Sequence, residues 1–159
     1  MTVGIFPGKF DPVTLGHLDI IRRAANLFDT VVVAVFEESQ GATLFSTEER
    51  KTFIKETTGD LKNVQVDSFH SLIVDYARIK NATAIIRGLR LYTDFEYEFE
   101  MALMNRKLDP TIDVVCLITS LEYQFVRSSL LKEIARFGGD ITSLSPPNVA
   151  LALSTRLGS

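Results

Sequence analysis

Short runs of β-branched and apolar residues alternate with helical patterns along this chain of 159 residues. Residues 31–36 are apolar at every position, which is typical of a central parallel strand that is covered on both faces. Strands that alternate with helices pair in parallel, because each connection crosses the sheet through a helix. The sequence therefore predicts an α/β fold with about five parallel strands and with helices on both faces of the sheet.

Periodicity and breaker residues predict where the elements of this fold begin and end. A capping box at Ser46-Thr47-Glu48-Glu49 marks the start of one helix. The predicted strands cover residues 3–6, 31–36, 64–66, 84–86 and 114–118, and the predicted helices cover residues 15–28, 47–57, 72–80, 94–108, 130–137 and 146–157. Because the sequence has no internal repeat and no linker, residues 1–159 are predicted to form a single doubly wound, Rossmann-like domain.

The composition argues against several classes of protein. The 20 acidic and 17 basic residues give a net charge of −3, whereas a general nucleic-acid binder needs a basic face. The apolar runs are too short to span a bilayer, so we expect a soluble, cytoplasmic protein that binds neither nucleic acid nor membrane. Cys116 is the only cysteine, and its apolar surroundings in the sequence predict a buried structural thiol.

The segment from Gly4 to His17 runs from an apolar strand through a glycine- and proline-bent loop into a helix. Gly8 leaves room for a phosphate to approach the backbone, and Thr14 can cap the helix, whose first amides attract anions. His17, in the first turn, can direct a ring N–H to the same place. This order predicts a phosphate site, although each piece taken alone is also typical of a plain turn or of a surface histidine.

Open parallel sheets bind their ligands beyond the carboxyl ends of the strands. Arg87 and Arg90 follow a buried strand, and arginine suits phosphate because its planar guanidinium donates paired hydrogen bonds. The alternative is that Arg90 pairs with Asp94 and that Arg87 pairs with another acid. Besides the loop after the first strand, the segments expected at this edge are residues 37–45, 68–73, 87–90 and 119–129.

Three stretches of the chain resemble those of one enzyme family. They are Pro7-Gly8-x-Phe10-Asp11-Pro12-x-Thr14-x-Gly16-His17, then Ile86-Arg87-Gly88-Leu89-Arg90 followed by Asp94-Phe95-Glu96-Tyr97-Glu98, and Tyr123-Gln124-Phe125-Val126-Arg127-Ser128-Ser129. On these residues the chain resembles the phosphopantetheine adenylyltransferases of the T/H-x-G-H nucleotidylyltransferase superfamily, from Gly4 to about Pro147. Nicotinamide mononucleotide adenylyltransferases and glycerol-phosphate cytidylyltransferases share the Gly16-His17 element, but they match poorly at residues 87–98 and at Ser129-x-x-Lys132-Glu133.

The resemblance implies an enzyme that transfers the adenylyl group of ATP to 4′-phosphopantetheine, giving dephospho-coenzyme A and pyrophosphate, in coenzyme A biosynthesis. It also implies Mg²⁺ held mainly by the phosphates of ATP, a homo-oligomer that is a hexamer in this family, and feedback binding of coenzyme A. Two alternatives stay open. One is an adenylyltransferase that acts on another phosphate acceptor, such as nicotinamide mononucleotide, and the other is a non-catalytic nucleotide-binding regulator.

The resemblance also assigns roles to residues. The expected catalytic residues are His17 and Lys9, at the α-phosphate, and Arg90, which with Ser128 and Ser129 holds the β- and γ-phosphates. The expected acceptor site contains Lys9, Gly41, Ile73 and Arg87, with Arg87 on the acceptor phosphate. The expected ATP site contains Lys9, Phe10, His17, Gly88, Leu89, Arg90, Glu98, Tyr123, Gln124, Phe125, Val126, Arg127, Ser128 and Ser129. No protein residue is expected to ligate a metal ion.

Two of these residue types have simpler explanations when they are taken without the resemblance. Glu98 alone is typical of a solvated acid on a helix, and Ser128 with Ser129 is typical of a plain N-cap pair. The motif around them favours the functional roles.

Three positions depart from the pattern of the family. Lys9 stands where a serine or threonine is usual, Gly41 where a lysine that contacts the acceptor phosphate is usual, and Arg127 where a serine is usual. Lys9 could supply the cation that is missing at position 41, since both loops are expected to face the same crevice. Alternatively, the bulk of Lys9 could crowd the acceptor.

Overall fold

Five parallel strands form one sheet in the computed structural model of the chain, which describes residues 1–37, 39 and 41–158. The strands are β1 (Val3–Gly8), β2 (Thr30–Phe36), β3 (Val64–Phe69), β4 (Ala84–Leu89) and β5 (Asp113–Ile118). Their spatial order is β3-β2-β1-β4-β5, and every neighbouring pair is parallel. This is the order of a doubly wound sheet, so the predicted fold class is confirmed.

Six α-helices lie in the described part of the chain, together with one unpredicted 3₁₀ turn at Leu121–Tyr123. They are α1 (Leu15–Ala25), α2 (Thr47–Thr57), α3 (Ile73–Ile79), α4 (Tyr92–Leu108), α5 (Ser128–Arg136) and α6 (Pro147–Leu157). Thr14 caps α1 and Ser46 caps α2, each hydroxyl accepting a hydrogen bond from the backbone N–H three residues later. None of these helices is both long enough and apolar enough to cross a membrane.

Both faces of the sheet are covered by helices. Successive residues of a strand point to opposite faces, so Val33 and Val35 lie in one core and Val32 and Ala34 in the other. The first core contains residues of α1, α2, α5 and α6, and the second contains residues of α3. The helix α4 contacts α3, β4 and β5. Burial on both faces explains why residues 31–36 show no polar alternation.

The two central strands β1 and β4 separate towards their carboxyl ends. They pair only at Gly4 with Ala84 and at Ile5 with Ile85, although β1 continues to Gly8 and β4 to Leu89. The chain after β1 crosses to β2 on one side of the gap between these strands, and the chain after β4 crosses to β5 on the other side. The crevice that opens there is where sheets of this kind bind ligands.

The prediction for Cys116 is wrong, because its side chain is exposed. Cys116 lies in β5, the strand at one edge of the sheet, and Ile118 in the same strand is 65% exposed. An edge strand can carry the same apolar run as a central strand. The sequence of residues 114–118 therefore did not distinguish the two positions.

Candidate active site

The crevice between β1 and β4 opens into a cavity of about 1120 Å³. It is walled by the β1–α1 loop (residues 9–14), the start of α3, the end of β4, the inner side of α4 and the start of α5. Its lining contains both basic and apolar side chains. The basic side chains are Lys9, Arg87, Arg90, Arg127 and Lys132, and the apolar ones include Ile73, Met101, Met104 and Leu108.

The β1–α1 loop contains a strained residue. Phe10 has a φ of 49°, in the left-handed region that costs a non-glycine residue about 1–3 kcal/mol. Its buried ring packs edge to face against the ring of His17, with 5.0 Å between the centroids. A Cβ on Gly8 would lie 3.0 Å from the Phe10 ring, so the glycine makes room for this packing. Packing of the Phe10 ring is therefore a second reason for a glycine at position 8, beside the predicted approach of a phosphate.

His17 is held by Thr14. The backbone N–H of Thr14 donates to Nδ1 of His17 at 3.1 Å, and the Thr14 hydroxyl lies 3.1 Å from the same nitrogen. Because Nδ1 accepts a backbone N–H, the neutral ring carries its proton on Nε2. Burial, helped by the charge of Arg90, lowers the pKa of His17 to about 4. At neutral pH, His17 is therefore a neutral hydrogen-bond donor in the wall of the cavity.

Asp11 and Lys132 connect three segments in the wall of the cavity. Lys132 Nζ lies 2.8 Å from Asp11 Oδ2, and the same carboxylate accepts the backbone N–H groups of Leu44 and Phe45, each at 2.9 Å. Burial acts to raise the pKa of Asp11, but these three hydrogen bonds outweigh it and hold the pKa below its usual value. Asp11 thus ties the β1–α1 loop to α5 and to the segment before α2.

Arg87 and Glu98 form a bidentate pair inside the cavity wall. Arg87 Nε donates to Glu98 Oε2 and Nη2 donates to Oε1, both at 2.6 Å. Glu98 is only 8% exposed, so the alternative that it is a solvated helix acid is wrong. Arg87 does pair with an acid, as the alternative interpretation of the sequence had it. The pair nevertheless lines the cavity, and Arg87 Nη1 also lies 3.4 Å from the carbonyl of Pro7.

Arg90 is paired as well. Its Nε lies 3.3 Å from Asp94 Oδ2, which is the ion pair considered as an alternative from the sequence. Its Nη1 donates to the carbonyl of Val126 at 3.4 Å. Arg90 therefore lines the cavity while joining the end of β4 to the loop before α5.

The two serines do not cap α5. Arg127 is the N-cap residue, and Ser128 and Ser129 are the first two residues of the helix. The Ser128 hydroxyl donates to the carbonyl of Pro12 at 2.7 Å, which connects α5 to the β1–α1 loop. Both serines line the cavity at a helix N-terminus, where backbone amides and the helix dipole favour an anion.

Most of the predicted site residues meet in this one cavity. Its lining contains Lys9, Phe10, His17, Ile73, Arg87, Gly88, Arg90, Glu98, Val126, Arg127, Ser128 and Ser129. The lining that the described residues form does not contain Gly41, Leu89, Tyr123, Gln124 or Phe125. The roles of these residues stay predictions.

Gly41 lies next to the cavity and not in its wall. It is exposed with a φ of 86°, and a Cβ built on it would have no atom within 4 Å. Its neighbours Ala42 and Thr43 do line the cavity. Glu38 and Gln40, which belong to the segment 37–45 expected at this edge, lie outside the described residues.

Some lining residues were not predicted. Lys132 belongs to the Ser129-x-x-Lys132-Glu133 motif but was assigned no role, although its spacing of four residues from Ser128 puts both on one helix face. Met101, Met104 and Leu108 repeat at helical spacing in α4, as expected for one face. Asp11 is part of the N-terminal motif, but its contact with Lys132 joins residues 121 positions apart and has no local signal.

The acids of the cavity are each paired with a base. Asp11 pairs with Lys132, Asp94 with Arg90 and Glu98 with Arg87. Among residues 1–37, 39 and 41–158, no group of three or more His, Cys, Asp or Glu side chains is arranged to hold a metal ion. The charged groups of the cavity thus suit an anionic ligand better than a bare cation.

Solved structures share the fold of this chain. A putative nicotinate-nucleotide adenylyltransferase from Vibrio parahaemolyticus is similar to it with a TM-score of 0.71 and 19% sequence identity, over 98% of this chain and 93% of that chain. A lipopolysaccharide core biosynthesis protein from Thermoplasma volcanium has a TM-score of 0.59 and 24% identity, over 76% of this chain and 98% of that chain. At these identities the similarity shows the fold alone.

Sequence comparisons identify the family. The cytidylyltransferase-like family model matches residues 5–134. The phosphopantetheine adenylyltransferase of Caldanaerobacter subterraneus subsp. tengcongensis is 53% identical over 150 residues, which are 94% of each chain. That of Alkaliphilus oremlandii is 53% identical over 156 residues, covering 98% of this chain and 99% of the other. The chain therefore belongs to the phosphopantetheine adenylyltransferase family of cytidylyltransferase-like proteins.

Proposed function

We propose that this protein transfers the adenylyl group of ATP to the phosphate of 4′-phosphopantetheine, giving dephospho-coenzyme A and pyrophosphate. The observation that carries this proposal is a single cavity that is lined both by basic side chains, among them Lys9, Arg87, Arg90 and Lys132, and by apolar side chains of α3 and α4. Such a cavity suits a ligand that carries both phosphates and a long uncharged arm.

The reaction needs no covalent enzyme intermediate. An oxygen of the acceptor phosphate attacks the α-phosphorus of ATP, and a new P–O bond forms. The bond from that phosphorus to the oxygen bridging to the β-phosphate breaks, and pyrophosphate leaves with this oxygen. Because the acceptor phosphate is already a nucleophile, the protein contributes alignment and stabilisation of the developing negative charge.

Neutral His17 and charged Lys9 would stabilise the α-phosphate in the transition state. The geometry of His17 supports its role, since the bond from Thr14 to Nδ1 leaves the Nε2 proton for a ligand. Arg90 and the N-terminus of α5, with Ser128 and Ser129, would hold the β- and γ-phosphates. Arg87 would orient the acceptor phosphate.

The apolar side chains of the cavity support phosphopantetheine as the acceptor. Ile73 at the start of α3 and Met101, Met104 and Leu108 of α4 line the cavity. The pantetheine arm is long, uncharged and partly aliphatic, so these side chains would remove apolar surface from water. Nicotinamide mononucleotide, the alternative acceptor, carries a charged ring and a ribose that gain less from such contacts.

Magnesium would enter with the nucleotide. Because the acids that line the cavity are paired with bases, a metal ion would be held mainly by the phosphates of ATP and by water. The metal would neutralise part of the polyphosphate charge. The protein's own part is to orient the phosphates through its basic side chains and amides.

We also propose that the protein is a homo-oligomer, and the resemblance favours a hexamer. The helix α4 supports self-association, because Phe95, Phe99 and Leu103 are each about half exposed and repeat every four residues. The rings of Phe95 and Phe99 stack with 5.9 Å between their centroids. Exposed apolar patches of this kind mark interaction surfaces. Sedimentation equilibrium tests the mass, and a monomer at micromolar concentration would contradict the proposal.

Two further parts of the proposal follow from the family alone. Coenzyme A would bind as a feedback inhibitor, because it shares the pantetheine arm and phosphates with the reaction's substrate and product. Inhibition by coenzyme A in the assay below would support this role. The proposed location is the cytoplasm.

One assay separates the candidate functions. The protein is incubated with ATP and Mg²⁺ together with 4′-phosphopantetheine, nicotinamide mononucleotide or no acceptor, and pyrophosphate is measured. We expect release that depends on 4′-phosphopantetheine. Release with nicotinamide mononucleotide instead would favour the alternative acceptor, and binding of ATP without any release would favour a non-catalytic regulator.

A further inference from the structure

We propose that Arg50 is a positioning residue, which holds the β1–α1 loop in the conformation that the phosphate site needs. This inference rests on the proposed function, because the residues it would position are those assigned to the α-phosphate. Arg50 lies in the first turn of α2 and is 1% exposed. A charged side chain is rarely buried so completely unless it is bound by specific partners.

The guanidinium of Arg50 joins three segments at the carboxyl edge of the sheet. Nη1 donates to the carbonyl of Lys9 at 2.5 Å and to that of Phe36, the last residue of β2, at 3.0 Å. Nε donates to the carbonyl of Phe45 at 3.1 Å. Nη2 donates to the hydroxyl of Thr47 at 3.1 Å. One side chain thus fixes the loop after β1 relative to the end of β2 and the start of α2.

The contact with Lys9 bears directly on the strained part of the site. The Lys9 carbonyl belongs to the peptide group that precedes Phe10, the residue with a φ of 49°. A non-glycine residue stays in this region only when its surroundings fix it. By holding the Lys9 carbonyl, Arg50 opposes the rotation that would relax Phe10. Phe10 in turn packs on the ring of His17, so the effect reaches both residues assigned to the α-phosphate.

Arg156 serves as a control for a purely structural role of Arg50, because it lies in the same region. Arg156 of α6 donates to the carbonyl of Leu44 at 2.8 Å and to Glu49 at 2.6 Å, and it lies over the ring of Phe45. It supports the segment before α2 from the outside, and its hydrogen bonds reach no residue of the β1–α1 loop. The same substitution at both arginines therefore separates support of α2 from positioning of the β1–α1 loop.

The experiment compares Arg50→Lys with Arg156→Lys. A lysine at position 50 keeps the charge but cannot reach three carbonyls from a planar fork. We expect Arg50→Lys to lower kcat by about 10–100-fold, with less than about threefold change in KM for 4′-phosphopantetheine, because misplacement of reacting groups acts on the chemical step. Arg156→Lys should leave kcat within twofold of wild type, even where it lowers the unfolding temperature.

A second measurement does not depend on turnover. Hydrogen exchange is followed at the Thr14 amide, which donates to His17 Nδ1. Arg50→Lys should speed exchange at this amide relative to the interior of α2, and Arg156→Lys should not. If wild type releases no pyrophosphate, the proposed function fails while exchange still tests the positioning role. That role is overturned if Arg50→Lys leaves Thr14 exchange as in wild type, or if both variants lower kcat in proportion to their loss of stability.

Discussion

Arg87 of β4 and Glu98 of α4 face each other with both guanidinium-to-carboxylate hydrogen bonds at 2.6 Å. The Glu98 side chain is 9% exposed and that of Arg87 is 30% exposed, so the pair is closed on the carboxylate side and open towards the cavity. This arrangement makes Arg87 both a structural partner of α4 and a candidate ligand of the acceptor phosphate. The two roles can be measured apart.

Replacing Arg87 with alanine leaves the Glu98 carboxylate buried without its partner. We expect Arg87→Ala to lower the free energy of unfolding by about 2–3 kcal/mol, below the full cost of a buried charge because the arginine is partly solvated. Adding Glu98→Gln removes the unpaired charge and should restore most of the stability. Urea unfolding of the two variants measures this difference.

Steady-state kinetics of the same two variants test the acceptor role. Both should show KM for 4′-phosphopantetheine raised at least about tenfold, and Arg87→Ala alone should have a much smaller effect on KM for ATP. Arg87→Lys is the matched control and should recover only part of the affinity, since an ammonium group cannot make the paired contact. Normal acceptor KM in the stabilised double variant would show that Arg87 acts only through the fold.

His17→Asn isolates the Nε2 proton. The side-chain oxygen of asparagine can accept the Thr14 N–H as Nδ1 does, but no group remains where Nε2 lies. We expect turnover to fall by about 10²–10³, the usual effect of removing one transition-state donor, with little change in the unfolding temperature or in ATP affinity. A variant that keeps at least half of the wild-type turnover would remove His17 from the mechanism.

The low pKa of His17 also predicts a dependence of stability on pH. The ring titrates near 4 in the folded protein and near 6.5 in the unfolded chain, so the unfolded chain binds the proton more readily between these values. This difference in pKa does not affect the free energy of unfolding above about pH 6.5, and it lowers that free energy as the pH falls below this value. From pH 7.5 to 4.5, wild type should lose about 2 kcal/mol more than His17→Asn. Equal losses in urea unfolding would contradict the low pKa.

Local signals in the sequence predicted the fold well. The capping residues Thr14 and Ser46, the apolar run 31–36 and the order of strands and helices each act over a few residues, and each is confirmed. The same holds for the loops expected at the carboxyl edge of the sheet, because topology alone brings the carboxyl ends of parallel strands to one edge. Arg87, Arg90 and His17 therefore meet in the cavity as predicted.

The contacts that escaped prediction join distant parts of the chain. Asp11 meets Lys132 across 121 positions, and Arg50 meets Lys9 across 41. A charged residue in the first turn of a helix is expected at the surface, so the burial of Arg50 had no signal in the sequence. The prediction that Cys116 is buried was wrong for the opposite reason. Its apolar neighbours are typical of a central strand, but β5 lies at the edge of the sheet.

The relation between Lys9 and Gly41 follows from the geometry of the same edge. Lys9 lines the cavity together with Ala42 and Thr43, the residues just after Gly41. A cation near a phosphate in this cavity would help from either loop. Gly41 has a φ of 86°, so any side chain placed there is strained, and the effect of a lysine must be separated from that of the strain.

If Lys9 replaces the cation that is missing at position 41, Lys9→Thr should weaken acceptor binding or turnover. Adding Gly41→Lys should restore much of the loss, whereas Gly41→Met, which carries the same strain without the charge, should restore none. The double-mutant cycle for Lys9→Thr and Gly41→Lys, measured as kcat/KM for 4′-phosphopantetheine, should give a coupling of about 0.5–3 kcal/mol. Additive effects, or a Lys9→Thr variant that is faster than wild type, would mean that Lys9 only obstructs the acceptor.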